Sequence, residues 1–260
     1  MADLSEANRQ EWNRKAKDYE SQEWQRTMMA QLTKGLQARL EWLGVQWSSA
    51  NNQGEVRLLD YACGTGLVTR ALIDHITTAR GIDISESMVD VYNTRMRELS
   101  LTPQRASAVV GNLLDPENPS PPTTSSEDSG FDIAAVGMGF HHFEDTALCL
   151  RRLAERLRPG GVVLIIDLVH DHSRGRGHGH DHGHDHPHGE GRKDGEEDAF
   201  AAMRHTIKHD GFDEAGMRQL FEDAGLTDFG MQALEQPCIM VMGGKEMQRT
   251  AFYAKGRKAA

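Results

Sequence analysis

The chain of 260 residues and 28.9 kDa is long enough to bury the core of one sizeable α/β domain. Its formal net charge of −10 argues against a nucleic-acid substrate held in a basic groove. No apolar run approaches the ~20 residues that a transmembrane helix needs, so no membrane partner is expected. Cys63, Cys149 and Cys238 show no paired spacing, and the N-terminus is too polar for a signal peptide. These features predict a reduced protein in the cytoplasm or the nucleus.

The first part of the chain predicts two helices. Residues 5–21 and 24–43 each carry apolar side chains at helical spacing, among them Trp12 and Tyr19. We expect residues 1–45 to form a helical cap over one end of the sheet that follows.

A strand, a tight loop and a helix are predicted over residues 56–76. An apolar run enters a loop with small residues at Ala62, Gly64 and Gly66, and apolar residues at helical spacing follow. Small residues allow the backbone to approach a ligand closely, and the helix N-terminus adds free N–H groups. The next strand ends at Asp83, where a carboxylate would accept hydrogen bonds from a ribose diol. The stretch therefore predicts a nucleoside-cofactor site.

The remaining elements alternate between helix and strand. We expect helices over residues 85–99, 145–158 and 213–224, and strands over residues 105–113, 131–139, 162–169, 226–234 and 248–255. Two polar stretches, residues 115–130 and 170–198, have little apolar surface to bury and predict disordered or mobile insertions. The whole chain, 1–260, is expected to form a single domain.

Two kinds of nucleoside cofactor suit such a loop. A dinucleotide site, as in a nicotinamide-dependent oxidoreductase, normally has a G-x-G-x-x-G pattern, which this loop lacks. Asp60 would repel a pyrophosphate but would suit the cationic amino-acid end of S-adenosylmethionine. The segment Asp60–Gly66 resembles the first motif of the class I S-adenosylmethionine-dependent methyltransferases, with Ala62 at its first glycine. Later motifs of that family resemble four further segments of this chain, in the same order: Asp83–Met88, Val109–Leu113, Phe131–His142 and Leu157–Asp167.

The resemblance implies a fold, a cofactor and a site. The fold is a Rossmann-like α/β fold, a mostly parallel seven-stranded sheet with helices on both faces and the last strand antiparallel. The cofactor is S-adenosyl-L-methionine, which leaves as S-adenosyl-L-homocysteine. The implied cofactor-binding residues are Tyr19, Asp60, Ala62, Cys63, Gly64, Gly66, Asp83, Ile84, Met88, Asn112, Leu113 and Met138. A small-molecule acceptor is expected because the chain lacks a basic surface run, while the acceptor atom (O, N or S) and the oligomeric state stay open.

Candidate catalytic residues lie at the carboxyl ends of the fourth and fifth predicted strands. His141 and His142 lie at the sheet edge where open α/β proteins bind ligands, so either is a candidate general base. Asp167, at the end of the fifth strand, is a candidate for orienting the substrate. His209 resembles a family position near the acceptor pocket. Each of these side chains could instead pack or form a local hydrogen bond.

The insertion at 170–198 carries a second hypothesis. Six histidines alternate with other residues: His178, His180, His182, His184, His186 and His188. This pattern is typical of segments that bind Ni²⁺, Cu²⁺ or Zn²⁺, so we predict such binding in the test tube. We expect that binding to be adventitious and methyl transfer to need no metal. The alternative function is a non-catalytic metal-binding or partner-binding protein on a methyltransferase scaffold.

Overall fold

The computed structural model describes residues 4–48, 54–115, 119–122, 126–170, 205–242 and 244–260. In this part of the chain, no helix is both long and apolar enough to cross a membrane. The predicted insertion at 170–198 lies outside the described residues except for His170, and so do all six histidines proposed as metal ligands.

The described ranges contain helices and strands in alternation. The helices are α1 (Leu4–Lys15), α2 (Glu23–Gln37), α3 (Leu40–Leu43), α4 (Leu67–Leu72), α5 (Glu86–Glu98), α6 (Thr146–Arg156) and α7 (Glu214–Asp223). Short 3₁₀ helices lie at Ala16–Asp18, Ser126–Asp128 and Phe140–His142. The strands are β1 (Arg57–Tyr61), β2 (Thr78–Asp83), β3 (Ala106–Val110), β4 (Phe131–Gly137), β5 (Leu157–Leu168), β6 (Leu226–Ala233), β7 (Cys238–Met242), β8 (Lys245–Arg249) and β9 (Ala251–Lys258).

Seven strands form one sheet in the order β3-β2-β1-β4-β5-β9-β6. Strand β9 runs antiparallel to both of its neighbours, β5 and β6, and the other pairings are parallel. β7 and β8 pair as a separate antiparallel hairpin. The predicted Rossmann-like α/β fold, with its mostly parallel seven-stranded sheet, is confirmed.

Helices cover both faces of the sheet, which explains the nearly continuous apolar runs of the central strands. Leu58 and Leu164 join the core cluster that includes α2 and α4, whereas Leu59 and Ile165 join the cluster that includes α6 and α7. Successive strand residues point to opposite faces, so both must be apolar when both faces are covered. The central strands therefore position the loops at their carboxyl ends rigidly.

Side-chain caps set the start of two helices as the sequence predicts. The Ser85 hydroxyl accepts a hydrogen bond from the Met88 N–H (3.1 Å) at the start of α5. The Asp213 carboxylate accepts from the Gly216 N–H (2.7 Å) at the start of α7. Each cap satisfies an N–H group that has no partner within its own helix.

The N-terminal helices differ from the prediction. The helix expected over residues 5–21 ends at Lys15, and the chain then turns so that Glu20 adopts a left-handed backbone with φ of 68°. The helix expected over residues 24–43 is interrupted between Gln37 and Leu40. Helical spacing of apolar residues continues across both breaks, so periodicity alone could not locate them.

The C-terminal strands also differ from the prediction. The strand expected over residues 248–255 is divided between β8 and β9, and part of the connection expected over 235–247 forms the β7–β8 hairpin. Cys238 and Met240 of β7 are buried in the core cluster that contains α2 residues. That packing supplies the apolar contacts a two-stranded hairpin needs for stability.

The polar stretch at 115–130 is in part anchored to the domain. Asp128 is 4% exposed and forms an ion pair with Arg80 (3.2 Å). The buried guanidinium of Arg156 donates a hydrogen bond from Nη1 to the Asp128 carbonyl (2.8 Å). At residue 128, therefore, the expectation of little packing is wrong, because a buried arginine on α6 replaces the missing apolar contacts.

Candidate functional site

A first cavity of about 420 Å³ lies at the carboxyl ends of β1, β2 and β4, within the ~300–1,000 Å³ range of small-molecule sites. Most of the residues predicted to bind a nucleoside cofactor line it: Tyr19, Ala62, Cys63, Gly64, Asp83, Ile84, Met88, Asn112 and Met138. The sheet brings them together because parallel strands end at the same edge.

The loop after β1 presents its backbone to the first cavity. Ala62 and Gly64 have φ of 51° and 49°, in the left-handed region. A Cβ atom added at Gly64 would meet no heavy atom within 4 Å, so a ligand can approach the backbone there. The Gly64 N–H donates to Asp83 Oδ2 (2.9 Å), which ties the loop to the end of β2.

Asp83 is the acidic group of the first cavity. It is 6% exposed, and its Oδ1 accepts a hydrogen bond from the Ser85 N–H (2.9 Å). Burial raises the pKa of Asp83 to about 6, although the N–H groups of Ser85, Gly64 and Ile84 oppose the shift. A carboxylate offers about four acceptor positions, so ribose hydroxyls could still donate to it. With the apolar side chains of Ile84 and Met88 beside it, this wall fits an adenosyl group.

Three predicted cofactor residues lie behind the cavity walls. Asp60 is 1% exposed, and its Oδ2 accepts hydrogen bonds from the Thr69 N–H (3.0 Å) and hydroxyl (2.7 Å). Burial raises the pKa of Asp60 to about 7, so it is poorly suited to attract a cation. Its position does not suit the direct ligand contact predicted for Asp60. The side chain instead holds α4 through its two hydrogen bonds to Thr69. Gly66 is the N-cap of that helix, and Leu113 is fully buried in the core.

Asn112 lines the first cavity with a side chain whose oxygen is engaged within the protein. Its Oδ1 accepts hydrogen bonds from the Leu114 N–H (2.9 Å) and the Tyr61 hydroxyl (3.3 Å). Since an amide oxygen has two lone pairs, both are engaged within the protein. The side-chain NH₂, a donor, is the group left for a ligand.

Glu20 is a site residue that the sequence did not reveal. Its carboxylate accepts a hydrogen bond from the Thr65 hydroxyl (2.5 Å) and forms ion pairs with Arg70 (3.0 Å) and Arg95 (2.8 Å). Burial would raise the pKa of Glu20, but the Thr65 hydroxyl and the two guanidinium groups hold it below the usual value. The preceding residue, Tyr19, lines the first cavity. Glu20 thus fastens the end of the N-terminal cap to the loop that follows β1.

Helix α1 is fastened to the start of α5. Asn13 Oδ1 accepts hydrogen bonds from the Ser85 hydroxyl (2.7 Å) and the Ser87 N–H (3.0 Å). Arg9 forms an ion pair with Glu86 (2.9 Å). These polar contacts hold α1 over the first cavity, where Leu4, Ser5, Asn8 and Trp12 complete the wall.

A second cavity of about 490 Å³ adjoins the first. The two share five wall residues: Trp12, Tyr19, Met29, Met138 and His142. The second cavity is also lined by α2, by residues 207 and 209–211 and by the β7–β8 hairpin. His141 and His209, two of the residues predicted at the acceptor side, line it as well.

His141 and Asp167 form a hydrogen-bonded pair at the second cavity. The distance from His141 Nδ1 to Asp167 Oδ1 is 2.8 Å, and the His141 backbone N–H donates to Asp167 Oδ2 (3.0 Å). Asp167 is fully buried behind His141, a position that suits orienting His141 better than the direct contact with a substrate that the sequence predicts. Burial opposes its ionisation, but the proximity of His141 and its hydrogen bonds keep the pKa of Asp167 below the usual value. The pairing occupies Nδ1 and leaves Nε2 of His141 for an acceptor.

His142 and His209 are engaged elsewhere. His142 Nδ1 lies 2.6 Å from the Thr206 carbonyl, and its ring meets Trp12 edge to face at 5.3 Å. Burial and the neighbouring His141 lower the pKa of His142 to about 3, so the predicted role of general base does not suit it. His209 Nε2 lies 3.1 Å from the Phe143 carbonyl, and burial lowers its pKa. His142 and His209 thus contribute to the walls, and of the three predicted histidines His141 has the geometry that best suits a base.

Among the described residues, no group of three or more His, Cys, Asp or Glu side chains could hold a metal ion. His178, His180, His182, His184, His186 and His188 lie outside those residues, so adventitious binding of Ni²⁺, Zn²⁺ or Cu²⁺ there stays a prediction.

Comparison with known proteins finds similarity to methyltransferases. A family model described as a methyltransferase domain matches residues 59–163. An uncharacterized methyltransferase of Schizosaccharomyces pombe is 31% identical over 193 residues, which is 74% of this chain and 61% of that protein. The chain thus spans less than two thirds of that relative's length. These matches favour a methyltransferase over the nicotinamide-dependent oxidoreductase that the loop left open.

Solved structures share the fold. A putative methyltransferase from Bacillus halodurans superposes with a TM-score of 0.57 at 14% identity, covering 87% of this chain and 100% of that one. The phosphoethanolamine N-methyltransferase 2 of Haemonchus contortus, in complex with S-adenosyl-L-methionine, gives 0.55 at 15% identity, covering 86% and 52%. At these identities the likeness shows the fold alone.

Proposed function

Because the chain belongs to the class I S-adenosylmethionine-dependent methyltransferases, we propose that it transfers a methyl group to a hydroxyl oxygen of a small molecule. The observation that carries the proposal is the junction of two cavities. One suits an adenosyl group, and the other presents the His141–Asp167 pair.

The residues of the first cavity fit the methyl donor. Asp83 would accept the ribose hydroxyls, Ile84 and Met88 would flank the adenine, and the loop at Gly64 would allow close approach. S-adenosylmethionine would supply an electrophilic methyl group on a sulfonium centre, with a neutral thioether as the leaving group. Tyr19 and Trp12, at the shared wall, would exclude water from the line between the two cavities.

His141 is the proposed general base. Asp167 accepts the Nδ1–H, which fixes the tautomer in which Nε2 has a free lone pair. In the proposed step, the acceptor oxygen bonds to the methyl carbon, and its proton passes to Nε2. The carbon–sulfur bond breaks with its electron pair on sulfur. A hydroxyl gains from such a base far more than a thiol or amine does, which is why oxygen is the proposed acceptor atom.

A screen with labelled donor tests the proposal. The full chain, incubated with methyl-labelled S-adenosylmethionine and small-molecule extracts, should yield a labelled methyl ether. His141→Asn should lower kcat by ~10²-fold or more and remove the ascending limb of the pH–rate profile, because the proton has no acceptor. His75→Asn, which changes a histidine that contacts Trp47, is the matched control. Wild-type turnover in His141→Asn would refute the proposed mechanism. If the wild-type chain did not bind S-adenosylhomocysteine, the proposed function itself would be refuted.

A further inference from the structure

The chemistry of the second cavity walls restricts what the acceptor can be. Five methionines and two tryptophans contribute to the lining: Met28, Met29, Met138, Met240, Met247, Trp12 and Trp24. Methionine sulfur makes favourable contacts with aromatic rings, and flexible methionine side chains adapt to a flat ligand. Tryptophan offers a broad, rigid apolar face. Most of this wall would gain nothing from a polar or strongly hydrated ligand.

Two cationic side chains among the described residues of the same wall, Lys15 and Arg249, each form an ion pair. Lys15 Nζ lies 2.7 Å from Glu11, whose side chain is 10% exposed and also pairs with the exposed Arg14 (2.6 Å). Arg249, 6% exposed, pairs with Asp210 at 2.9 Å and also donates to the Val169 carbonyl (3.3 Å). Both cations of this wall are thus already engaged in ion pairs, and moving either of them to a ligand anion would leave the charge of its present partner less well compensated.

A buried carboxylate also lies close to this wall. Asp167 is fully buried and lies directly behind His141. A ligand anion placed at His141 Nε2 would face that carboxylate across the imidazole ring. Repulsion would oppose binding, because two like charges in a partly buried site interact strongly. A ligand that arrives neutral and gives up its proton only during reaction avoids this cost.

We propose that the second cavity binds a neutral, lipophilic phenol: an aromatic ring system seated among the methionines, with its hydroxyl on His141 Nε2. The proposal rests on the proposed function and names its substrate class. A phenol fits better than an aliphatic alcohol because its proton is acidic enough for an imidazole to remove during the reaction. The pKa of the phenol group of tyrosine, for comparison, is ~10. The planar ring also matches the apolar faces of Trp12 and Trp24.

Two naphthols that differ in one charged group test this inference without turnover. We would measure binding of 2-naphthol and of 6-hydroxy-2-naphthalenesulfonate to the full chain by equilibrium dialysis, with S-adenosylhomocysteine saturating. The neutral compound should bind at least ~10-fold more tightly, because both cations that line the described part of the wall, Lys15 and Arg249, are already held in ion pairs. Equal or tighter binding of the sulfonate, or no binding of 2-naphthol, overturns the inference. Since S-adenosylhomocysteine binding is measured separately, failure of the donor site is distinguished from failure of the acceptor class.

A matched pair of hairpin variants locates the site. Met247→Lys places a cation in the wall of the second cavity, so it should weaken 2-naphthol at least ~5-fold and strengthen the sulfonate. Ile239→Lys adds the same charge on the same hairpin at a side chain that is 48% exposed, and should change neither affinity. Equal effects of the two variants, or no effect of Met247→Lys in a folded protein, would place the ligand elsewhere. If Met247→Lys does not fold, the comparison of the two naphthols on the wild-type chain still decides.

Discussion

The replacement Glu20→Gln removes a charge that fastens the N-terminal cap to the cofactor loop. Glutamine keeps the shape and can still accept a hydrogen bond from Thr65, but it loses the attraction to Arg70 and Arg95. A hydrogen bond to a charged group contributes about 1.5–3 kcal/mol, and an exposed ion pair about 0–1 kcal/mol. The two arginine side chains are 31% and 23% exposed, so we expect a loss of about 1–2 kcal/mol, between those limits.

The loss should appear as opening of the cap. The partners of Glu20 are polar (Thr65, Arg70 and Arg95), so the substitution removes no apolar packing and global unfolding should change little. If the closed cap completes the first cavity through Tyr19, the affinity for S-adenosylhomocysteine should fall by roughly 5–30-fold, which corresponds to 1–2 kcal/mol. Calorimetric titration measures that affinity. The fluorescence of Trp12, which meets the Tyr19 ring at 5.8 Å, reports whether the cap has moved.

Glu98→Gln is the control for the charge change. Glu98 is the exposed last residue of α5, so the substitution removes the same charge without altering the Glu20 carboxylate or its bond to Thr65. Donor affinity should match the wild type in this variant. Unchanged affinity and fluorescence in Glu20→Gln, or an equal loss in Glu98→Gln, would refute the role assigned to Glu20.

Three further predictions concern the donor site, the backbone of its loop and the histidine-rich segment. The affinity for S-adenosylhomocysteine should rise as the pH increases through about 6, because ionised Asp83 is the better acceptor for ribose hydroxyls. Titrations of Asp83→Asn should be flat over that pH range and weaker by roughly 1.5–3 kcal/mol, and a wild-type slope in the variant would contradict the assignment. Ala62→Gly should leave the free energy of unfolding unchanged or raise it by up to about 1 kcal/mol, because glycine relieves the left-handed strain but gains unfolded-state entropy. Ala71→Gly, buried in α4, should instead lower it by about 1 kcal/mol or more in chemical denaturation, and equal effects of the two changes would rule out strain at Ala62. Replacing the histidines at 178–188 with asparagine should abolish retention on immobilised Ni²⁺ without changing methyl transfer, and a loss of transfer would give that segment a catalytic role.

The fold was predictable because its signals are local and repeated. Apolar strands alternating with helical periodicity indicate a doubly wound sheet, and Ser85 and Asp213 mark helix starts by their hydrogen-bonding chemistry. The walls of the first cavity followed because they lie at strand ends that any parallel sheet brings together.

The rest of the site depends on contacts between distant parts of the chain. Glu20 lies 45 positions from its partner Thr65, and its left-handed backbone has no signature in a non-glycine residue. Asp60 looked like a ligand contact because it precedes the loop, yet its side chain turns to Thr69, as only the three-dimensional path of α4 determines. His141 and His142 are adjacent and chemically identical in the sequence. Their different partners distinguish them in the structure: His141, the proposed base, pairs with Asp167, whereas His142 is held by the Thr206 carbonyl.

The shared wall of the two cavities makes their ligands interdependent. Both cavities are lined by the same five side chains: Trp12, Tyr19, Met29, Met138 and His142. If a ligand in one cavity favours a particular arrangement of these side chains, a ligand in the other cavity meets that arrangement. Thermodynamic linkage then requires reciprocity: if the donor tightens acceptor binding tenfold, a coupling free energy of about 1.4 kcal/mol, the acceptor tightens donor binding by the same factor. A substitution at Trp12 would therefore alter both dissociation constants and the coupling between them. If the coupling is not zero, an affinity measured with one cavity empty differs from the affinity of the same ligand when both cavities are occupied.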